Sequence, residues 1–136
     1  MPTYNSHCRT ATNFRATWLA VPQLLITPGQ DHKVFMENAS LEKGLDFSSP
    51  GGRLCNPGHS IEVSWFLLHL NRILKDPEIR QVALKALIGA LEIGWEKDFG
   101  GILYMLDIEG KPLMDTTVTA ENKLWWPMSE GTIFLE

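Results

Sequence analysis

Cysteine is scarce in this chain: only Cys8 and Cys55 occur among 136 residues. Two thiols so far apart exclude a disulfide framework and a cysteine-built zinc site, and make a reducing, cytoplasmic setting the expectation. No His-x3-His or His-Glu-x2-His pair is present, so no metal is expected. No apolar run reaches the ~18 residues of a membrane span, and no membrane association is expected. Arg9 and Arg15 ahead of Trp18–Ile26 imitate a secretion signal. Pro22 and Gln23 interrupt that stretch, however, and no small-residue cleavage site follows. A basic stripe is also missing. The formal net charge is −4, which removes the electrostatic argument for nucleic acid. No Gly-x4-Gly-Lys-Ser/Thr phosphate loop is found.

What remains is the composition of a soluble globular domain: 44% apolar and 21% charged residues, in a chain long enough to bury a core. Tryptophan is plentiful, with five copies. Trp65, Trp95, Trp125 and Trp126 fall in the last two thirds, where the chemistry is expected.

Residues 1–20 show no sustained period and read as an irregular lead-in. Val34–Asn38 reads as a short strand entered from the Pro28-Gly29 turn, and Ser48–Gly52 as a loop of turn formers. A helix is predicted after Pro57-Gly58. Its stripe of Ile61, Trp65, Leu68 and Arg72, widened by Phe66, Leu70 and Ile73, implies packing on two sides. It should end at Lys75, because Asp76-Pro77-Glu78 combines an N-cap acid, a proline at the first helical position and an acid facing the dipole. Ile79, Val82, Ala83, Ala86, Leu87, Ala90 and Leu91 continue that second helix to about residue 93. With almost no turn between them, the two helices should form an antiparallel αα-hairpin. Gly94–Gly101, Ile102–Asp107 and Ile108–Lys111 then read as a β-hairpin with polar tips. A third helical segment is predicted from about Thr119 to the end, with Pro127 either kinking it or opening a new helix. The pattern stops mid-stripe at Ile133-Phe-Leu135, as a truncated helix would.

The most informative stretch is Asn56-Pro-Gly-His-Ser-Ile-Glu-Val-Ser-Trp-Phe66. A proline-glycine turn delivers His59 to the mouth of a helix, and Glu62 follows three residues later on the same face. Histidine exchanges protons near neutral pH, and a carboxylate beside it can orient the ring. This reads as half of an acid/base site. Read alone, His59 could equally cap the helix, and Glu62 could be a solvated first-turn acid. Adjacent Trp125 and Trp126 point about 100° apart on a helix, so one can be core while the other faces a pocket. Trp65 and Trp95 read as packing residues. His69 sits at the boundary of its stripe, Cys55 reads as a small, partly buried thiol, and Glu96-Lys-Asp98 and Glu42-Lys43 read as solvated charge. His7 and His32 have no local partners.

Three blocks in register carry a family likeness: Asn-Pro-Gly-His59-Ser-Ile-Glu62-Val-Ser-Trp65, then Gly94-Trp95…Asp98-Phe-Gly-Gly101, then Lys123-Leu-Trp-Trp126-Pro-Met-Ser-Glu130. Over roughly residues 25–136 the chain resembles the N-acylglucosamine 2-epimerase family, whose animal members are also called renin-binding proteins; residues 1–24 lie outside the resemblance. The resemblance implies a mainly α fold, part of an (α/α)6 barrel of six helical hairpins with a short β-hairpin. It implies an isomerase that interconverts N-acetylglucosamine and N-acetylmannosamine by removing the C2 proton on one face and returning one on the other. Two histidines are expected in that reaction. His59 matches the first and Glu62 the carboxylate beside it, while Trp126 and Glu130 match the substrate pocket. No cofactor enters the chemistry, although ATP or another nucleotide is expected as an activator. An amino-sugar substrate, a homodimer and a renin-like protein partner are the implied associations.

The departures are equally specific. The second histidine and an N-terminal arginine of the family site have no counterpart, and a whole barrel needs a much longer chain. Met128 stands where a histidine is expected, and a thioether cannot transfer protons. The chain alone is therefore expected to be a fragment with little or no turnover. The alternatives are a non-catalytic, protein-binding fragment and another sugar epimerase or isomerase on the same barrel.

Overall fold

A computed structural model describes residues 34–38, 45–109 and 123–133. The lead-in over 1–24, the Pro28-Gly29 turn, His7, His32, Glu42-Lys43, the Gly110-Lys111 turn, the helix start at Thr119 and the end of the chain at Phe134–Glu136 lie outside the described residues. Within them the protein is mainly helical: α1 spans Pro57–Leu74, α2 Pro77–Gly94 and α3 Trp125–Ile133. A two-stranded antiparallel ribbon pairs β1, Leu54–Cys55, with β2, Leu106–Asp107.

The stop of the first helix and the start of the second act as predicted, but the first helix starts earlier than expected: Pro57 and Gly58, read as a turn ahead of it, are its first two residues. Asn56 caps α1 by accepting the His59 N–H, and Pro57 takes the first position, where no intrahelical donor is needed. Lys75 closes α1 in the left-handed conformation (φ 52°), and its N–H donates to the Asn71 carbonyl. The Asp76 side chain then accepts the Glu78 N–H at 2.9 Å and opens α2. The pair is antiparallel, since the C-terminal Gly94 of α2 abuts Pro57 of α1. A Cβ at Gly94 would lie 2.5 Å from the Pro57 Cβ, so a larger residue there would pry the hairpin apart.

The buried face of α1 differs from the predicted stripe. Pro57, Gly58, Ser60, Ile61, Ser64 and Leu67 are buried, whereas Phe66 is half exposed and Ile73 is 79% exposed. Small residues decide this. Gly58, Ser60 and Ser64 on α1 and Ala83, Ala86, Gly89 and Ala90 on α2 are all buried, so small residues fill much of both buried faces and larger side chains stand at the flanks. Serine looks polar in a hydropathy pattern, yet Ser64 donates to the Ser60 carbonyl at 2.6 Å and needs no water. The expectation of packing on two sides does hold: α1 contacts both α2 and α3.

Val34, Met36, Cys55, Ile61, Leu87, Ala90 and Ile102 form the core. Burial of one such aliphatic side chain contributes roughly 1.5–3 kcal/mol. The Val34–Asn38 segment joins it through a bridge from Met36 to Cys55.

The predicted β-hairpin is only partly formed. Trp95 and Ile102 close a loop, with Gly100 and Gly101 at φ +71° and +97° making its turn. Ile102–Asp107 is not one continuous strand, however, and Leu106–Asp107 pairs with Leu54–Cys55, more than fifty residues earlier. A buried ion pair determines this pairing: Arg53 Nε donates to Asp107 at 3.0 Å, with side chains 8% and 1% exposed. Its Nη1 also donates to the Phe47 carbonyl. A charge so deeply buried needs a partner wherever the chain can bring one.

Glu96, read as solvated charge, instead organises the loop. Its carboxylate accepts the Asp98 and Phe99 N–H groups and the Lys123 ammonium at 2.7 Å. The Lys123 hydrogen bond, followed by the two backbone donors, brings its carboxyl down to about 2.

Candidate active site

The N-terminal turn of α1, the Val34–Asn38 segment and the first turn of α3 meet at His59. Asn56 positions the His59 backbone, accepting its N–H at 3.2 Å. The imidazole is 46% exposed, and its Nδ1 lies 2.8 Å from Oε1 of Glu37, whose side chain is 20% exposed. The Trp126 indole lies beside the imidazole, with ring centroids 5.1 Å apart and planes tilted by 33°. Tyr104 also meets that indole edge-on, 6.3 Å between centroids. Gly58 makes the approach of α3 possible, because a Cβ there would stand 2.8 Å from the Trp126 ring and 2.9 Å from the Pro127 Cβ. Pro127 neither kinks a longer described helix nor costs a hydrogen bond, since it occupies the first turn of α3.

Of the four site residues named from sequence, His59 and Trp126 come together directly. Glu130 turns to α1, where Oε2 accepts the Trp65 indole N–H at 2.7 Å. Glu62 is partly buried on α1, and among the described residues no hydrogen bond or ion pair engages it. The carboxylate that meets His59 is Glu37. Nothing in the sequence points to it, since the two are 22 residues apart and no local spacing relates them. Tyr104 was equally hidden, in an apolar run read as strand.

Trp125 is 81% exposed, so of the adjacent tryptophans the one on the pocket side is half-buried and the other faces solvent rather than core. Trp95 is also half exposed, and His69 is exposed, edge-on to Trp65. Met128 uses its sulfur as an acceptor for the Ile102 N–H at 3.3 Å. With Leu87, Leu91, Trp95 and Ile102 it also lines an apolar groove of about 530 Å³. Cys55 is fully buried, deeper than predicted. Burial first, and the Glu37 carboxylate second, push its thiol up to about 12, so it stays protonated and is no nucleophile. Among the described residues no three His, Cys, Asp or Glu side chains gather to hold a metal ion, and no helix is long and apolar enough to cross a membrane.

Chemically, the arrangement is a half-exposed imidazole with one ring nitrogen held by a carboxylate and an indole face at its side. Such a ring can take or give a proton near neutral pH. The indole offers an apolar platform to whatever carries that proton.

Comparison with known proteins bears on what that could be. The sequence model of the family described as N-acylglucosamine 2-epimerase (GlcNAc 2-epimerase) matches residues 32–134. The curated N-acylglucosamine 2-epimerase of Mus musculus is 38% identical over 105 residues, which are 76% of this chain and 24% of that protein. The Homo sapiens protein gives the same figures. The Bos taurus protein is 39% identical over 99 residues, 72% of this chain and 23% of its own length. The chain thus spans about a quarter of the length of the curated relatives it matches.

Proposed function

The chain belongs to the N-acylglucosamine 2-epimerase family, and from that membership we propose that it supplies one proton-transfer face of an amino-sugar epimerase. In this reading His59 takes the proton from C2 of the ring-opened N-acyl sugar, or returns it, interconverting N-acetylglucosamine and N-acetylmannosamine. Trp126, backed by Tyr104, forms the wall against which the sugar lies. The described helices would form part of a barrel of helical hairpins, working in the cytoplasm.

The observation that carries the proposal is the imidazole of His59, half open to solvent and set against the Trp126 indole. A packed histidine with no open space would have no such role. Glu62 keeps its part in the proposal as an acid/base carboxylate one turn along α1 from His59, and Glu130 as a sugar contact. Glu130 would then act through its second oxygen, because Oε2 is engaged by Trp65. One imidazole acts on one face, and inversion at carbon requires a proton to arrive on the other. The chain alone is therefore proposed to lack turnover. A nucleotide activator, a homodimer and a renin-like partner belong to the whole protein in this reading.

The test is a chimera in which the matching 105 residues of the mouse relative are replaced by those of this chain. The chimera should interconvert the two sugars, and the isolated chain should not. His59→Ala in the chimera should lower kcat by about 10²–10⁴, the usual contribution of general acid–base catalysis. Full activity in that variant would remove His59 from the chemistry.

A second reading draws on a different observation. Leu91, Trp95 and Met128 are 36%, 51% and 41% exposed around the apolar groove, and apolar surface of that kind favours association. A non-catalytic role as a protein-binding fragment would show as self-association or partner capture in sedimentation. A compact, inert monomer would oppose it.

A further inference from the structure

We propose that Glu37 is a positioning residue that holds the His59 imidazole in the Nδ1–H tautomer and leaves Nε2 as the proton-accepting nitrogen. The inference rests on the reading of His59 as a proton-transfer group and extends it to the residue that prepares the ring.

Nδ1 of His59 and Oε1 of Glu37 are 2.8 Å apart, within the range of a charge-assisted hydrogen bond. An ionised carboxylate accepts hydrogen bonds and donates none, so the proton between them belongs to Nδ1. In a neutral imidazole the other nitrogen then carries a lone pair. Nε2 has no hydrogen-bond partner among the described residues, and the side chain is open to solvent. The nitrogen left bare is therefore the one free to meet a substrate.

The backbones that carry the two side chains are tied to each other. The Phe35 N–H donates to Ser60 Oγ at 3.0 Å, tying the segment to the residue next to His59. Met36 bridges Cys55, and the Glu37 N–H donates to the Leu54 carbonyl at 3.0 Å. From the other side, the Asn56 cap fixes the His59 backbone. The backbones of both partners thus hang from one short network around Leu54–Ser60. Glu62, one helical turn from His59, makes no such bond among the described residues.

The experiment reads the tautomer directly. In the full chain with ¹⁵N-labelled histidine, long-range ¹H–¹⁵N correlation at pH 8 distinguishes a protonated from an unprotonated ring nitrogen, and loss of signals in His59→Gln assigns them. The expected spectrum shows protonated Nδ1 and bare Nε2 at His59. Glu37→Gln, whose amide can accept from Nδ1–H or donate to a bare Nδ1, should weaken the preference for that pattern. Glu37→Ala should move the population of His59 toward the Nε2–H form, with the circular dichroism of the chain unchanged. Nε2–H in the unmutated chain, or an unchanged tautomer in a folded Glu37→Ala, would overturn the inference. The unmutated chain keeps the test open if the alanine variant fails to fold, because an Nε2–H ring there would overturn the inference by itself. The spectrum is independent of turnover. A correct tautomer in an inactive chimera would count against the epimerase reading alone, and an active chimera with the wrong tautomer against Glu37 alone.

Discussion

The indole N–H of Trp65 donates to Oε2 of Glu130 at 2.7 Å, joining the middle of α1 to α3. The bond ties α3 to α1 one turn beyond Trp126. Hydrogen bonds to a charged group contribute about 1.5–3 kcal/mol. Trp65→Phe keeps an aromatic ring and loses the donor, leaving a partly buried carboxylate without its partner. Urea unfolding should show a loss of that order. A change below about 0.5 kcal/mol, the range of neutral surface substitutions, would mean that packing alone holds α3.

A second prediction concerns Gly58. A methyl group there would meet Trp126 at 2.8 Å and Pro127 at 2.9 Å, both on the rigid start of α3. Overpacking of this kind costs roughly 1–3 kcal/mol. More tellingly, Gly58→Ala should drive the indole away from His59. The ring-current displacement of the His59 ring protons in NMR should then shrink. An unchanged displacement would show that α3 has no fixed seat on α1.

The third prediction follows from Cys55. Its thiol is raised from an ordinary 9.0 to about 12, by burial and by the Glu37 carboxylate. A raised acid is neutral in the folded chain where the unfolded chain would ionise. Its contribution to stability is thus complete below about 9 and is lost as pH climbs toward about 12. In a Cys8→Ser background, a thiol reagent at pH 8 should leave Cys55 untouched until denaturant is added. Cys55→Ala should flatten the alkaline fall in stability. Rapid labelling of the native chain would contradict the burial.

Where chemistry is local, the sequence was a sound guide. Asp76-Pro77-Glu78 announces a helix start through side chains one or two residues from the groups they satisfy, and α2 begins there. His59 near a helix start was visible for the same reason, although Pro57 and Gly58 belong to the helix and make no turn. Long-range relations were not. The ribbon was misread because Asp107 answers a buried Arg53 from 54 residues away, and the carboxylate nearest His59 was sought in the next helical turn rather than in Val34–Asn38. The buried stripe of α1 was misjudged because Ser60 and Ser64 satisfy their hydroxyls inside the protein, which a hydropathy pattern cannot register.

Only Lys75 and Asp76 stand between the two eighteen-residue helices. So short a connection makes the entropy of loop closure small, and contacts near in sequence form fastest. The hairpin is thus expected to assemble first, as it emerges from the ribosome. Glu37 arrives on an earlier segment and Trp126 on a later helix, and both meet at the N-terminal end of α1. Proton-transfer competence would then be the last property the growing chain acquires, after most of its stability is already in place.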